Sequence, residues 1–161
     1  MGYISNNLMP EEEIIYFGYV HWFIFVPGLT QFLVGISLIG TYTVQEIDYL
    51  NGFGFVVGLL LILVALISLV RALIRKTSTE LAVTTKRVIA KVGFIRRETV
   101  ELNLNKVESF AVNQSLFGRL FDFGTIAIIG TGGGTNTIRD IDSPLEFRRQ
   151  AVKIIDAVSH D

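Results

Sequence analysis

Few side chains in this sequence could carry out catalysis or bind a metal ion. The 161 residues include two histidines, His21 and His160, and no cysteine. No set of His, Asp and Glu residues has the spacing of a metal site. Asp140 and Asp142 precede a predicted helix, where we interpret them as turn and capping groups rather than as an acid and base pair. We therefore predict no enzyme, no metal site and no cofactor.

A glycine-rich segment, Gly130-Thr-Gly-Gly-Gly134, has the composition of loops whose backbone amides hold phosphate groups. Such loops connect a strand to a helix, and a Walker loop also carries Gly-Lys followed by Ser or Thr. Here no lysine follows, and the next predicted helix begins at Ser143. The segment is therefore predicted to be the turn of a β-hairpin.

Five basic residues form the candidate binding site of the sequence. Lys91, Arg96 and Arg97 cluster at the predicted tip of a β-hairpin, and Lys86 and Arg87 lie at its base. Such a cluster could bind the phosphate of an anionic lipid headgroup. The alternative is a solvated strand edge, where charge protects against aggregation. Nucleic acid is not an expected partner, because the basic residues are not interleaved with aromatic ones.

Two long uncharged stretches precede these basic residues. Residues 49–70 contain no charged residue, and about 20 apolar residues are enough to cross the hydrocarbon core of a bilayer. A second uncharged stretch covers residues 14–45. We predict a transmembrane helical hairpin over residues 19–76, with helices at about 20–42 and 49–72 joined by a short acidic connector.

Charge is distributed unevenly along the chain. All 14 lysine and arginine residues follow residue 70, whereas residues 1–70 contain acidic residues and no basic ones. Because basic residues next to a transmembrane helix resist translocation, both termini are predicted to be cytoplasmic. Arg71, Arg75 and Lys76 are the predicted juxtamembrane anchor, and they favour contact with anionic lipid. Membrane lipids are therefore predicted partners.

Three residues inside the predicted hairpin are candidates for contacts between copies of the chain. Gln31 is polar, and the return helix offers no side-chain partner near Leu61, at the predicted depth of Gln31. It bonds either within its own helix or to water, or else across a subunit interface. Gly54 and Gly58 form a Gly-x-x-x-Gly pair, which packs either on the first helix or on another copy. A homo-oligomer is the resulting prediction.

From residue 77 onward, apolar residues alternate with polar ones, as in half-buried β-strands. The alternation predicts six or seven short strands, with turns at Gly93 and at residues 103–106. The residues that define the strands are Leu81, Val83, Val88, Ala90, Val92, Val100, Leu102, Leu104, Phe110, Val112, Ile126 and Ile128, followed by a last strand over 137–141. Residues 1–18 form a lead segment that either continues into the first helix or joins this sheet.

Two helical segments are predicted in the same domain. Ser143, Pro144 and Glu146 mark the start of a C-terminal helix, whose apolar stripe is expected to pack on the strands. The stripe consists of Phe147, Ala151, Ile154, Ile155 and Val158. A shorter helical turn covers residues 115–121, and its apolar side chains are predicted to close one end of the core. These side chains are Leu116, Phe117, Leu120 and Phe121.

Several motifs in residues 80–133 occur together in one known family. They are Thr84-x-x-Arg87, Gly93, the segment Q-S-L-F-G-R-L-F over residues 114–121, and Gly124-Thr125. This combination resembles the bacterial pleckstrin-homology (PH)-like domains of the second bacterial subgroup, long classed as a domain of unknown function. The resemblance implies about seven antiparallel strands in a bent sheet or barrel closed by a C-terminal α-helix, attached to a hairpin in the bacterial inner membrane. It also implies no established catalysis.

The expected fold is thus a membrane α + β protein, with the hairpin followed by one PH-like domain over residues 77–161. Two functions are compatible with this fold. The first is a scaffold that self-assembles and presents its cytoplasmic domains, for a protein partner or for one another, at the inner membrane. The alternative is a monomeric module that binds anionic lipid headgroups or a partner protein.

Overall fold

The computed structural model describes residues 2–44, 50–94 and 97–159. These residues form two compact units. One comprises the residues before Trp22 together with those from Arg75 onward, and the other comprises Trp22–Ile74. We refer to the first as the β unit and to the second as the helical unit.

The described residues contain five α-helices and seven strands. In chain order they are α1 (Tyr3–Asn6), β1 (Ile14–Gly18), α2 (Val26–Val44), α3 (Leu50–Ser78), β2 (Glu80–Thr84), β3 (Arg87–Val92), β4 (Glu98–Asn103), β5 (Val107–Asn113), α4 (Leu116–Leu120), β6 (Phe123–Gly130), β7 (Thr135–Asp142) and α5 (Pro144–Ser159). Short 3-10 turns cover Trp22–Phe25 and Leu104–Lys106.

The seven strands form two antiparallel sheets. β1, β2, β3 and β4 make one sheet in that order, and β5, β6 and β7 make the other. The division falls at Leu104–Lys106, where a 3-10 turn replaces the strand that was predicted to continue through Leu104. The prediction of about seven antiparallel strands is confirmed. The strands form two sheets rather than one closed barrel.

The lead segment joins the first sheet, because β1 pairs antiparallel with β2. Before β1, helix α1 covers one face of this sheet, where Ile4 is fully buried together with Ala82 and Ile89. This cover explains why β2 and most of β3 are buried on both faces, although their sequence pattern predicted half-buried strands. Of the two alternatives for residues 1–18, the structure contains the strand.

The main core of the β unit lies beneath α5. Phe147 and Ala151 are fully buried, and the Phe147 ring makes edge-to-face contacts with two other aromatic rings. The predicted apolar stripe is buried along its first half. Ile154 and Ile155 are half-buried, and Val158 is exposed. The first two turns of α5 therefore provide most of the contact that holds it on the strands.

Two predicted turns occur where the backbone geometry favours glycine. Gly93 follows β3 with a φ of +97°, a conformation that other residues rarely adopt. The glycine-rich segment joins β6 to β7, and the Gly130 N–H donates to the Gly134 carbonyl at 3.0 Å. This segment connects two strands, as the hairpin interpretation predicted.

In the helical unit, α2 and α3 pack closely at a glycine contact. A Cβ added at Gly35 would lie 2.9 Å from the Gly58 carbonyl oxygen, and a Cβ at Gly58 would lie 2.9 Å from the Gly35 carbonyl oxygen. Gly28, seven residues before Gly35, makes a similar contact with α3. Ala65 and Ala72 follow Gly58 at the same spacing and are buried. Small residues every seven positions thus keep the two helices in contact along one face.

Both helices are long and apolar enough, by length and composition, to cross a bilayer. The qualifying stretches are Trp22–Thr41, with 20 residues, and Gly52–Ser78, with 27 residues. In each stretch, only 11% of the most apolar 18-residue segment is buried. Most of the apolar surface of α2 and α3 is therefore exposed.

Candidate functional site

Lys91, one of the predicted headgroup residues, belongs to a clasp that holds the start of the chain on the sheet. Its Nζ forms an ion pair with Glu80 at 3.2 Å and lies 5.0 Å from the centre of the Tyr3 ring. The Glu80 carboxylate also accepts hydrogen bonds from the N–H groups of Tyr3 and Ile4, at 2.9 and 3.0 Å. Burial alone would raise the pKa of Glu80, but these donors and Lys91 lower it. Lys91 is thus already engaged with groups of its own chain.

The other predicted headgroup residues are spread along the hairpin. Lys86 is exposed and donates a hydrogen bond to the Pro10 carbonyl at 2.7 Å. Arg97 is exposed immediately before β4, and Arg96 lies outside the described residues. The six residues of β3 separate Lys86 from Arg97 by about 20 Å. One headgroup could not contact both of these side chains.

Arg87 lies in a buried ion-paired cluster. The residue is 5% exposed, and its guanidinium donates to both carboxylate oxygens of Glu12 at 2.9 Å. It also pairs with the Glu101 carboxylate and donates to the Asn7 carbonyl at 2.8 Å. The Thr84 hydroxyl donates to Glu12 at 2.7 Å. The planar fork of donors matches a carboxylate in a way that lysine could not, and Arg87 is therefore engaged inside the β unit rather than presented to a lipid.

This ion-paired cluster changes the acidity of Glu12. Burial would raise the pKa of its carboxyl, but hydrogen bonds from Arg87, the Met9 N–H and Thr84, together with the Arg87 charge, lower it from 4.5 to about 2. Sequence reasoning missed the cluster because Glu12 lies 75 residues from Arg87. The Thr84-x-x-Arg87 motif was the one feature of the sequence that pointed to this cluster. Thr84 and Arg87 are both buried.

We expect the folded chain to lose stability as the pH falls below about 4.5. The pKa of Glu12 is lower in the folded state, so its stabilising contribution is complete above 4.5 and disappears as the pH approaches about 2. The linked free energy of unfolding is about 3 kcal/mol. Urea unfolding of the full chain in mild detergent, measured from pH 7 to pH 3, should show this loss. Glu12→Gln should have a flatter dependence below pH 5, and an unchanged dependence would contradict the assignment.

The three predicted juxtamembrane residues have different surroundings. Arg71 is exposed on α3, and Lys76 is exposed at the edge of a cavity of about 430 Å³. Arg75 forms an ion pair with Asp140 at 2.8 Å and donates to the Arg139 carbonyl at 3.3 Å. Arg75 therefore ties the end of α3 to β7.

The three candidates for contacts between copies also differ. Gln31 Oε1 lies 3.5 Å from Ser68 Oγ, so the return helix does offer a side-chain partner. The expectation that none exists was wrong, because the partner lies two turns beyond Leu61, the position assumed to face Gln31. Gly58 contacts α2 of the same chain, whereas a Cβ added at Gly54 would meet no atom of the described residues within 4 Å. Of the three candidates, Gly54 is thus the one for which the described residues show no contact between α2 and α3.

Helix α4 exposes the apolar side chains that were predicted to close the core. Leu116 is 84% exposed, Phe117 63%, Leu120 74% and Phe121 40%. We refer to these four side chains as the α4 face. The prediction was wrong because Phe147 of α5 fills the core instead.

The polar and glycine residues of the same segment hold α4 in place. The Ser115 hydroxyl accepts a hydrogen bond from the Gly118 N–H at 3.1 Å and caps the helix. Gln114 Nε2 donates to the carbonyl groups of Gly118 and Phe123, both at 3.2 Å. A Cβ at Gly118 would lie 2.5 Å from the Phe123 carbonyl oxygen, so the helix is held close to β6. The α4 face is therefore exposed on a fixed element.

His21 lies at the end of the β unit, where the chain continues into Trp22. Its ring stacks on Phe123 with 5.2 Å between the ring centres, and its Nε2 is 3.6 Å from the Asp142 carboxylate. The His21 N–H donates to the Asp140 carbonyl at 2.8 Å. Within the part of the chain that the structure describes, no group of three His, Asp or Glu side chains could hold a metal ion. The contacts of His21 instead fix the exit of the chain from the β unit.

The family model described as Bacterial PH domain matches residues 23–154, which is more than half of the chain. The matched range contains α2, α3, the strands from β2 to β7 and α4. It therefore includes the Thr84-x-x-Arg87 motif and the segment over residues 114–121. No curated protein and no solved structure matches the chain.

Proposed function

Because the chain belongs to the bacterial PH domain family, we propose that it is a membrane protein that presents a PH-like interaction module at the cytoplasmic face of the bacterial inner membrane. PH-like domains commonly bind lipids or proteins. The observation that carries the proposal is the apolar surface of α2 and α3. Only 11% of the most apolar 18-residue segment of each helix is buried. Side chains such as Leu33 and Leu59 expose more than half of their surface.

Such a surface is unfavourable in water and favourable in lipid. α3 has 29 residues and is therefore about 43 Å long, which exceeds the hydrocarbon core of about 30 Å. Arg71, Arg75 and Lys76 near its end would then lie at the level of the lipid headgroups. Their charge favours the arrangement in which both termini are cytoplasmic. The proposal includes no catalytic activity.

Single cysteines can test this topology, because the native chain has none. We expect a cysteine placed in the connector, between residues 45 and 49, to react with a membrane-impermeant maleimide in intact spheroplasts. Gly132→Cys, in the β6–β7 loop, should react only after permeabilisation. Extraction of the chain by carbonate, or labelling of Gly132→Cys in intact spheroplasts, would contradict the proposal.

The proposal extends to self-assembly into a homo-oligomeric scaffold. Gly54 supports this extension, because within the described part of the chain a Cβ there would meet nothing within 4 Å, whereas Gly58, one turn further along α3, contacts α2. A small residue that the hairpin does not use allows the close approach of another helix. A ring of copies with cyclic symmetry would keep all PH-like domains on one side of the membrane.

Light scattering in mild detergent should give a multiple of 17.9 kDa for the full-length chain. Gly54→Leu should reduce the mass to that of a monomer. Gly52→Leu is the matched control, since it lies on another side of α3 and a Cβ there also meets no described atom within 4 Å. A monomeric parent protein would remove the self-assembly proposal and favour the second candidate function.

The second candidate is a monomeric module that binds anionic lipid headgroups or a partner protein. Arg97 favours it, because this residue is exposed, in contrast to Arg87. The test needs the full chain, since α1 and β1 belong to the β unit and a fragment that starts at Thr77 would lack them. Native mass spectrometry should detect fewer retained anionic lipids on the Arg96→Ala and Arg97→Ala double variant than on Lys106→Ala. Equal retention of lipid by both variants would show that Arg96 and Arg97 of the β3–β4 hairpin do not bind the headgroups.

A further inference from the structure

We propose that the α4 face inserts into the interfacial region of an anionic bilayer. The β unit would then contact the membrane through its own surface as well as through the helices that anchor it. This inference rests on the proposed membrane location of the chain. The apolar side chains would contact the glycerol and upper acyl region of the lipid, and Arg119 would contact the phosphate headgroups.

The first observation is the size of the exposed apolar surface. Among the described residues of the β unit, Leu116 and Leu120 are the two most exposed large apolar side chains. They lie four residues apart and are therefore neighbours on one side of α4. Phe117 and Phe121 have the same spacing. Contiguous apolar patches of this kind mark contact sites for proteins or membranes.

The second observation is that α4 is already ordered before it meets a partner. The capping bond of Ser115 and the two hydrogen bonds of Gln114 hold the helix in position. Gly118 also lies close to the Phe123 carbonyl, where an added Cβ would clash, so α4 packs directly against the start of β6. Insertion would therefore require little additional ordering of the chain.

The third observation is the position of α4 within the β unit. His21, the residue before Trp22, stacks on Phe123, which follows α4 by three residues. The Asp122 carbonyl accepts a hydrogen bond from the Ser143 N–H at 2.9 Å, which connects the end of α4 to the start of α5. Within the β unit, the end of α4 thus lies near His21, the last residue before Trp22. If the chain enters the membrane at Trp22, His21 and its neighbours in the β unit lie within a short distance of the interface.

Arg119 gives the α4 face a basic residue of its own, and it is exposed within α4. On α5, Arg149 already pairs with Glu146 at 3.1 Å. Asp122 precedes Phe123 in the chain and Asp142 pairs with Phe123 in the sheet, so both add negative charge near the end of α4. Arg119 is therefore the residue of this surface that an anionic partner would attract. Phe and Leu side chains with arginine beside them are typical of segments that lie in the membrane interface.

The same charge argues against a second copy of the chain as the partner. In a two-fold contact that packs α4 on α4, Arg119 would approach Arg119 of the other copy, and like charges repel. An anionic lipid surface attracts the same residues. Each arginine near such a surface is expected to strengthen the contact by about fivefold.

A fluorescent probe can test the contact, because the chain contains no native cysteine. Leu120→Cys, labelled with an environment-sensitive nitrobenzoxadiazole group, would be studied in nanodiscs that hold one full-length chain each. With phosphatidylglycerol in the disc, we expect blue-shifted emission that is quenched by lipids carrying a doxyl group near the glycerol. Gly132→Cys, at the far end of β6, is the matched control and should stay in water.

The charge contribution can be measured in the same discs. In the labelled Leu120→Cys chain, Arg119→Gln should lower the ratio of lipid-buried to water-exposed probe by about fivefold with phosphatidylglycerol. The substitution should have no effect in discs of phosphatidylcholine. An equal effect in both lipids would contradict the role of charge in the contact.

Three other outcomes overturn different statements. A water-exposed, unquenched probe at position 120 in discs that retain the chain overturns the lipid contact and leaves membrane anchoring intact. A chain that remains soluble and does not enter discs overturns the proposed function. A blue shift that requires two chains per disc and is not quenched by doxyl lipid assigns the α4 face to a second copy, which also overturns the lipid contact.

Discussion

The Arg87→Met variant is expected to lose about 3–5 kcal/mol of folding free energy, the range found when one partner of a buried ion pair is removed. The side chain of Glu12 is 0% exposed, so its carboxylate would remain buried without the guanidinium that accompanies it. Methionine roughly preserves the length of the side chain, which limits the contribution of a cavity. Urea unfolding of the full chain in mild detergent at pH 7 measures the change.

Two further variants show whether this loss comes from the buried charge. Arg97→Met removes the same charge at an exposed position of the same hairpin and should change the stability by no more than about 0.5 kcal/mol. The double variant Arg87→Met with Glu12→Leu should regain most of the lost stability, because it leaves no unpaired charge at the centre of the ion-paired cluster. A loss below about 1 kcal/mol in Arg87→Met alone would contradict the importance of the cluster.

The Gly35→Leu variant is expected to separate α2 from α3, with a loss of about 3 kcal/mol or more. A Cβ at this position would lie 2.8 Å from Ile62 Cγ1 and 2.9 Å from the Gly58 carbonyl oxygen. The second contact is with backbone, which cannot rotate away as a side chain can. The midpoint of unfolding in an SDS titration, followed by circular dichroism, should fall clearly in this variant.

Gly40→Leu is the matched control for the hairpin. It lies on the same helix, and a Cβ there would meet nothing within 4 Å. Its SDS midpoint should therefore stay close to that of the parent protein. Equal midpoints for Gly35→Leu and Gly40→Leu would show that the glycine contact does not hold the helices together.

The sequence by itself determined the apolar helices and the strands of this protein. An uncharged run of about 20 residues and an alternation with period two are local properties of the chain. The apolar helices and the strands could therefore be predicted without knowledge of the tertiary structure. The turn at Gly93 was predictable for the same reason, because its positive φ depends on the residue itself. The family resemblance likewise rested on residues that lie close together in the chain.

Only the tertiary structure decided what each basic residue does. Arg87 and Arg97 have the same chemistry and lie ten residues apart, yet one is buried and the other is exposed. The difference comes from Glu12 in the lead segment and from Glu101 on the neighbouring strand. Glu12 cannot be assigned before the lead segment is known to join the sheet, and Glu101 depends on the register of β3 and β4.

The same limit applied to the α4 face and to the glycines of the hairpin. The spacing of Leu116 and Leu120 shows that α4 has an apolar side, but the spacing does not show that Phe147 already fills the core. Likewise, Gly35 and Gly54 are equally small, and the packing of α2 on α3 uses only the first. Burial depends on which distant surfaces meet, and that is a property of the folded chain rather than of any local segment.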